Sequence, residues 1–471
     1  MPLPLAPWPR SVDLADGPAL RVRADSAAAA IAALRPEVVT EAGHGDEGYA
    51  LDVDVRGARI RCSAPAGAFY ARRTLEQLAA PDGDGFALPA VRIRDRPRFA
   101  YRGLLLDVAR HFLAPDTVEA VIARASALKL NALHLHLTDD QGWRIALENH
   151  PELARAGAAS SVGGDRGGSY TAADYARIVE CARAHHMIVV PEIDVPGHTH
   201  AVGLSHPELA AEPVISDEVR AVTAAYGGDL PAAGEPYTGL GVGFSSLDAN
   251  APGLGDFLDE VFADLAALTP GPYLHLGGDE ALGTSAEDYH AMVTRAGEAV
   301  AATGKTAIAW HEAGRAALPP GSIGQYWGFR TPRDGHDDRA RAFVARGGRV
   351  ILSPADAIYL DMKPHADAPL GLVWADGPTS LERSYAWEPA GVIDGIAEDD
   401  ILGVEACLWT ETVRTLEDID ALAFPRIAAA AEAAWSAPAG TAGRSWDHFA
   451  PRARSLERLW RESGIAVEAT S

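Results

Sequence analysis

The chain has 471 residues, 48% hydrophobic and 23% charged, enough for a large core and two domains. Its 41 Lys and Arg face 65 Asp and Glu, a formal charge of −24. A chain this acidic repels phosphate backbones, which excludes nucleic acid as the expected partner and favours neutral or cationic ligands.

The N-terminus, "MPLPLAPWPR", lacks a basic segment followed by an apolar run, and no stretch is long and apolar enough to span a bilayer. The expectation is a cytoplasmic protein with no membrane partner; a mature secreted chain carrying a new Met1 would read the same. Residues 1–97 form a small α/β domain on this reading. "YALDVDVRGARIRCSA" alternates like a half-buried strand, and "GAFYARRTLEQLAA" places Phe69, Leu75 and Leu78 on one helical face.

From residue 98 to 471 the pattern changes. Eight short apolar runs recur: "RGLLLDVARH", "ALHLHLTDDQGWR", "MIVVPEIDVPGH", "YLHLGGDE", "TAIAWHE", "SIGQYWG", "RVILSPADAIYLD" and "GVEACLWTE". Amphipathic segments lie between several of them. Val118, Val121, Ile122, Ala125 and Leu128 share one helix face, with Asp116 and Glu119 read as a helix start. Eight strand-then-helix units argue a (β/α)8 barrel, closed by C-terminal helices. Barrel enzymes place their chemistry at the C-terminal strand ends, and here those ends gather acids and aromatics. One long Gly- and Pro-rich connection, residues 199–250, follows the third strand and is placed to wall such a site.

"HLGGDE", residues 275–280, sets two acids side by side. Paired carboxylates suit acid–base work on a sugar, but sequence neighbours cannot flank a ring from opposite faces. Either a second acid lies elsewhere or something other than the protein attacks. Cys62, Cys181 and Cys407 are too few and too scattered for a disulfide framework or a Cys-x-x-Cys metal pair. His134 and His136 form an His-x-His pair, but later strands offer no matching ligand set, so neither metal nor cofactor is expected.

In order, "YRGLLLDVARHF", "LHLHLTDDQGWR", "PEIDVPGHTHA", "HLGGDE", "AWHE", "QYWG", "YLD" and "LWTE" resemble glycoside hydrolase family 20, the β-N-acetylhexosaminidases. The resemblance runs from about Phe99 to Trp435, and "GAFYARRTLEQL" resembles the small domain before the barrel in that family. It implies an exo-acting, retaining enzyme that removes terminal β-linked N-acetylglucosamine, or its C4 epimer, from chito-oligosaccharides or glycoconjugates. The family uses substrate assistance, in which the 2-acetamido oxygen attacks C1 and an oxazolinium forms.

The resemblance also implies roles. Glu280 is the general acid, with neighbouring Asp279 expected to raise its pKa and to accept the acetamido N–H. Tyr359 donates to the acetamido oxygen. Trp310, Trp327, Trp374 and Trp409 wall the sugar, since flat indoles suit its C–H face. Arg102 binds O3 and O4, Glu411 accepts from O4, and Asp361 accepts from O6. Asp139, Asp194 and His198 form a supporting relay, in which Asp140 can stand in for Asp139. Against this stand a sugar-binding barrel without catalysis, a metal hydrolase, and a relative releasing a disaccharide or a modified sugar. Oligomeric state stays open.

Overall fold

In the computed structural model, which describes residues 3–467, eight parallel strands close into a barrel. Met1, Pro2 and residues 468–471, the outer ends of the two expected domains, lie outside the described residues. The strands are β1 (Tyr101–Asp107), β2 (Ala132–His136), β3 (Ile188–Glu192), β4 (Tyr273–His275), β5 (Thr306–Trp310), β6 (Ile323–Tyr326), β7 (Val350–Leu352) and β8 (Ile401–Leu408). Each lies in one of the eight apolar runs read from the sequence, and β8 pairs with β1 to complete the ring. Helices cover the outside, so both faces of the sheet are buried and the strands need no polar face.

Period-two alternation sorts the side chains. Leu104, Leu106, Leu133 and Leu135 face outward into the main core with the surrounding helices. The inward side chains form layers. Tyr101, Ala132, Val190, Ile308, Ile323, Ile351 and Leu402 fill the N-terminal end. Above them sits a fully buried polar layer that includes His134, Glu192, His275, Gln325 and Glu405. Higher still, Leu105, Trp310, Cys407 and Trp409 pack with Tyr359. Gly103 lacks a side chain because a Cβ there would lie 2.1 Å from Glu405 Oε2.

Residues before the barrel build a five-stranded sheet and a smaller three-stranded one. "YALDVDVRGARIRCSA" is a hairpin rather than one strand, Tyr49–Asp54 pairing antiparallel with Gly57–Cys62. Asp54 caps the turn by accepting from Arg56 N–H at 2.8 Å. Helix α1 (Pro65–Leu78) buries Tyr70, Ala71, Thr74, Leu75 and Leu78. Phe69 is only partly buried, because six residues before Leu75 places it roughly 240° around the helix. This domain shares Trp435 with the barrel's C-terminal helices.

Helix α2 (Pro115–Ala127) buries the expected stripe, but its cap is Ala114, with Pro115 at the first turn. Asp116 and Glu119 instead bind Arg177 of the helix Ala172–Ala184. No helix of the described residues is long and apolar enough to cross a membrane.

Candidate active site

Two glycines turn the chain sharply after β4. Gly277 has φ +69° and Gly278 φ +105°, and a Cβ on Gly277 would lie 1.7 Å from Asp194 Oδ1. Only glycine admits that approach. Gly278 N–H donates to the same oxygen at 2.9 Å, fixing the turn to the end of β3. Glu280 follows in the left-handed region at φ +43°, and His198 is also left-handed at φ +54°. Two non-glycine residues held this way, facing each other, mark a site where the surrounding structure overrides local preference.

His198 Nε2 stands 3.4 Å from Glu280 Oε2 and 3.8 Å from Asp279 Oδ2. Its Nδ1 lies 3.1 Å from Asp139 Oδ1 and 4.0 Å from Asp140 Oδ2. That distance separates the two candidates. Asp139 is the carboxylate hydrogen-bonded to His198, while Asp140 accepts from Ser245 Oγ and from His200 N–H and so anchors the 199–250 segment. Burial works against charge on His198, but Asp139 and Asp279 overcome it and hold the ring well above its usual pKa. Asp139 is held well below the usual carboxylate range despite burial, by Arg110 and His198.

Asp194 is fully buried and pushed well up by that burial and by the charge on Asp279. Asp279 is pushed up less, again by burial first. Asp194 is thus the member of the pair held further toward the protonated form, which leaves Asp279 the better acceptor facing the pocket.

The pocket encloses about 320 Å³. Asp279, Glu280, Trp327, Tyr359, Trp374, Trp409 and Glu411 line it, as do Arg110, His136, Asp139 and His198. Trp409 is nearly buried, whereas Trp374 is 48% exposed and stands at the mouth, edge-on to Trp327 and Tyr359. Trp310 is fully buried beneath the pocket, packed on Trp409 and donating its indole N–H to Glu192 at 2.9 Å, so it supports the floor rather than forming a wall. Asp361 is buried near Glu411 but is not among the residues that line the pocket, both its oxygens without a hydrogen-bond partner among the described residues. Burial and Glu411 push it well up. Burial also lifts Glu411, to about 7, against the pull of Arg110.

Arg102 is not in the pocket. It begins β1, at the opposite end of the barrel from Glu280, and its even position points it outward. It is fully buried there, bidentate to Glu47 at 2.6 and 2.9 Å and stacked over Trp435. Arg110 is the arginine that lines the pocket. It lies three residues beyond the C-terminal end of β1, binds Asp139 Oδ2 at 2.8 Å and sits over the Trp409 ring. Arg110→Gln is expected to lower kcat/KM about 10- to 100-fold, the worth of a charged hydrogen bond. Arg102→Gln is expected to cost about 1–3 kcal/mol of stability, because it removes the charged hydrogen bonds to Glu47 and the donors to the Lys129 and Phe99 carbonyls, and to leave KM unchanged. Steady-state kinetics and melting of both variants check this; a raised KM in Arg102→Gln with normal stability would contradict it.

The 199–250 segment does wall the site. Its helix α3 (Asp217–Tyr226) presents Glu218, Val222 and Tyr226, spaced by four, to the pocket, and Leu240 and Val242 join them.

Glu312, in "AWHE", was not among the sequence candidates. It accepts from Trp327 Nε1 at 3.1 Å, and a second cavity of about 390 Å³ runs between it and Glu280. Burial, then the charge on Asp279, pushes its carboxyl up to about 8. The folded protein therefore keeps this proton up to a higher pH than the unfolded chain does. Stability falls as pH rises from the ordinary glutamate range to about 8 and is flat above it for this group. Glu312→Gln is expected to flatten that slope in melts from pH 5 to 9. An unchanged slope would assign the fall to other groups.

Comparison with known proteins follows this geometry. A family model described as glycosyl hydrolase family 20, catalytic domain, matches residues 99–438, and one described as domain 2 of the same family matches residues 11–96. The chain belongs to glycosyl hydrolase family 20. It is a glycoside hydrolase, with the barrel architecture of that family. A β-N-acetylhexosaminidase from Cellulomonas fimi is 42% identical over 430 residues, covering 90% of this chain and 81% of the relative. A solved family 20 β-N-acetylglucosaminidase superposes with a TM-score of 0.94 at 51% identity, covering 100% of this chain and 99% of its own. The Streptomyces plicatus N-acetyl-β-hexosaminidase, in complex with Thio-NAglucal, has a TM-score of 0.89 at 39% identity, covering 99% and 97%.

Proposed function

We propose that this family 20 enzyme is an exo-acting, retaining β-N-acetylhexosaminidase that uses the substrate's acetamido group as nucleophile. Its substrates are chito-oligosaccharides or glycoconjugates ending in β-linked N-acetylglucosamine. The observation that carries this reading is the position of Asp279. It lines the pocket beside Glu280 with the buried Asp194 behind it, so it is suited to orient an N–H and not to attack from the opposite face. Tyr359, held protonated by burial, supplies a donor for the acetamido oxygen.

Glu280 protonates the leaving oxygen and then takes a proton from the water that opens the oxazolinium. Its carboxylate faces His198 on one side and solvent on the other, the side chain being 32% exposed. Trp409 and Trp327 enclose the ring as positive charge develops, Arg110 supplies donors at the rim, and Asp361 and Glu411 supply hydroxyl acceptors. The Thio-NAglucal complex of the Streptomyces plicatus relative supports an N-acetylhexosamine in the corresponding pocket.

A panel of nitrophenyl glycosides tests the reading. The N-acetylglucosaminide is expected to be hydrolysed, the glucoside lacking the acetamido group negligibly so, and a thiazoline analogue is expected to inhibit competitively. Comparable turnover of the glucoside would end the substrate-assisted reading. The N-acetylgalactosaminide in the same panel reads the C4 preference at Arg110 and Glu411.

A further inference from the structure

The interior of a (β/α)8 barrel is ordinarily filled by branched apolar side chains. Here its middle carries charge. Buried ions cost more to desolvate than apolar packing would, so a fully buried ionic layer stabilises the fold poorly. The layer is also ordered, each acid meeting an imidazole. Tyr101 donates to Glu405 Oε2 at the N-terminal end. Glu405 Oε1 lies 2.8 Å from His134 Nδ1, and His134 Nε2 lies 3.1 Å from Glu192 Oε2. The same oxygen is 2.6 Å from His136 Nδ1, and His136 Nε2 is 2.7 Å from Asp139 Oδ2. Asp139 then meets His198, which faces Glu280. Four strands, β1, β2, β3 and β8, contribute to one unbroken path from the base of the barrel to the acid.

Charge along the path alternates. Burial opposes the charged rings, but Glu405 and Glu192 hold His134 up at about 9, and Glu192 and Asp139 hold His136 up at about 10. Glu192 is held well below the carboxylate range by His136 and its neighbours, again against burial. Both nitrogens of His136 and the Nδ1 of His134 are hydrogen-bonded to carboxylates, with His134 Nε2 in ion-pair reach of Glu192, so neither ring can rotate without breaking a charged contact.

We infer that Glu405, His134, Glu192 and His136 are positioning residues, a buried column that holds Asp139 and, through it, His198 in one orientation and one charge state against Glu280. The inference rests on the reading of Glu280 as the acid. The groups facing His198 are Asp139, Asp140, Asp279, Glu280 and, more distantly, Asp194; Arg110 faces Asp139 from the other side. With Arg110 already on Asp139, the column's distinct contribution is the second charged donor, His136, on the same Oδ2.

Glu192→Gln tests it, since it keeps the carbonyl oxygen for the Trp310 N–H while removing the charge. On a phenyl glycoside, which needs the acid, kcat is expected to fall about tenfold, a part of the ~10²–10⁴ that general acid catalysis supplies. The basic limb of the kcat–pH profile is expected to move to lower pH, with KM unchanged. On a dinitrophenyl glycoside, whose leaving group needs little protonation, the loss is expected to be under about threefold. In the unliganded protein, ¹⁵N-histidine NMR should show His198 becoming neutral at a lower pH than in the wild type. Equal loss on both substrates with an unmoved profile and unmoved His198 shifts would overturn the inference, reducing the column to packing. Tyr101→Phe removes one hydroxyl at the far end and gives the same readouts should Glu192→Gln fail to fold. If the wild type itself hydrolyses no N-acetylglucosaminide, the proposed function fails first, whereas the His198 shifts still report on the column.

Discussion

Glu280→Gln is expected to lower kcat on alkyl or oligosaccharide substrates by about 10²–10⁴, the usual worth of a positioned general acid. Gln is isosteric and keeps the contact with His198, so fold and binding survive while the transferable proton is lost. With dinitrophenolate as leaving group, formation of the oxazolinium needs no proton, and the loss in that step shrinks toward unity. Opening of the oxazolinium by water still needs a base, so the intermediate or its released oxazoline should accumulate. Azide added to the variant reads this second half. The division of labour between Glu280 and the substrate's own nucleophile would be falsified if both classes of leaving group lost activity equally.

The second large effect is expected at a residue with no side chain of its own. Gly277→Ala puts a methyl group where Asp194 Oδ1 now lies, at a φ of +69° that L-residues rarely adopt. The left-handed backbone costs about 1–2 kcal/mol and the overpacking about 1–3 kcal/mol more. Relief comes only by moving Asp194 or unwinding the turn. Either shift withdraws the buried acid behind Asp279, and with it the orientation of the acetamido group. A lowered melting temperature together with at least a hundredfold loss of kcat is the expected result, since displacement of about 1 Å at a reacting centre has that effect. Gly278→Ala meets nothing closer than 3.5 Å and is expected to pay only the backbone strain. Normal activity in Gly277→Ala would show that Asp194 is not needed where it stands.

Much of this protein was legible in one dimension. The barrel follows from eight apolar runs of strand length separated by helical periodicity, because a parallel strand buried on both faces has no use for polar residues. The acids and aromatics of the site follow from their recurrence just after those runs. Even the arginine was within reach. The rule that chemistry sits at the C-terminal ends of barrel strands separates Arg110 from Arg102. A motif match placed both in one quoted segment and left the strand's direction unused.

Other features needed the third dimension. Asp139 and Asp140 are adjacent and chemically identical, and only the 3.1 against 4.0 Å to His198 Nδ1 assigns them. Trp310 and Trp374 read alike as pocket tryptophans, yet one lies beneath the floor and the other stands half-exposed at the mouth. Glu312 carried no charge-patterning signal, since its displaced pKa arises from burial beside Asp279, more than thirty residues earlier. The buried column is the clearest case. His134, Glu192 and Glu405 are scattered over 272 residues and look in sequence like polar interruptions of apolar strands. Sequence by itself determined which segments are buried and which residue types stand at their ends, because burial and turn geometry are local in their periodicity. Which acid faces which imidazole was decided only when barrel closure brought β8 beside β1, because hydrogen bonds and Coulomb interactions depend on distances that spacing along the chain does not encode.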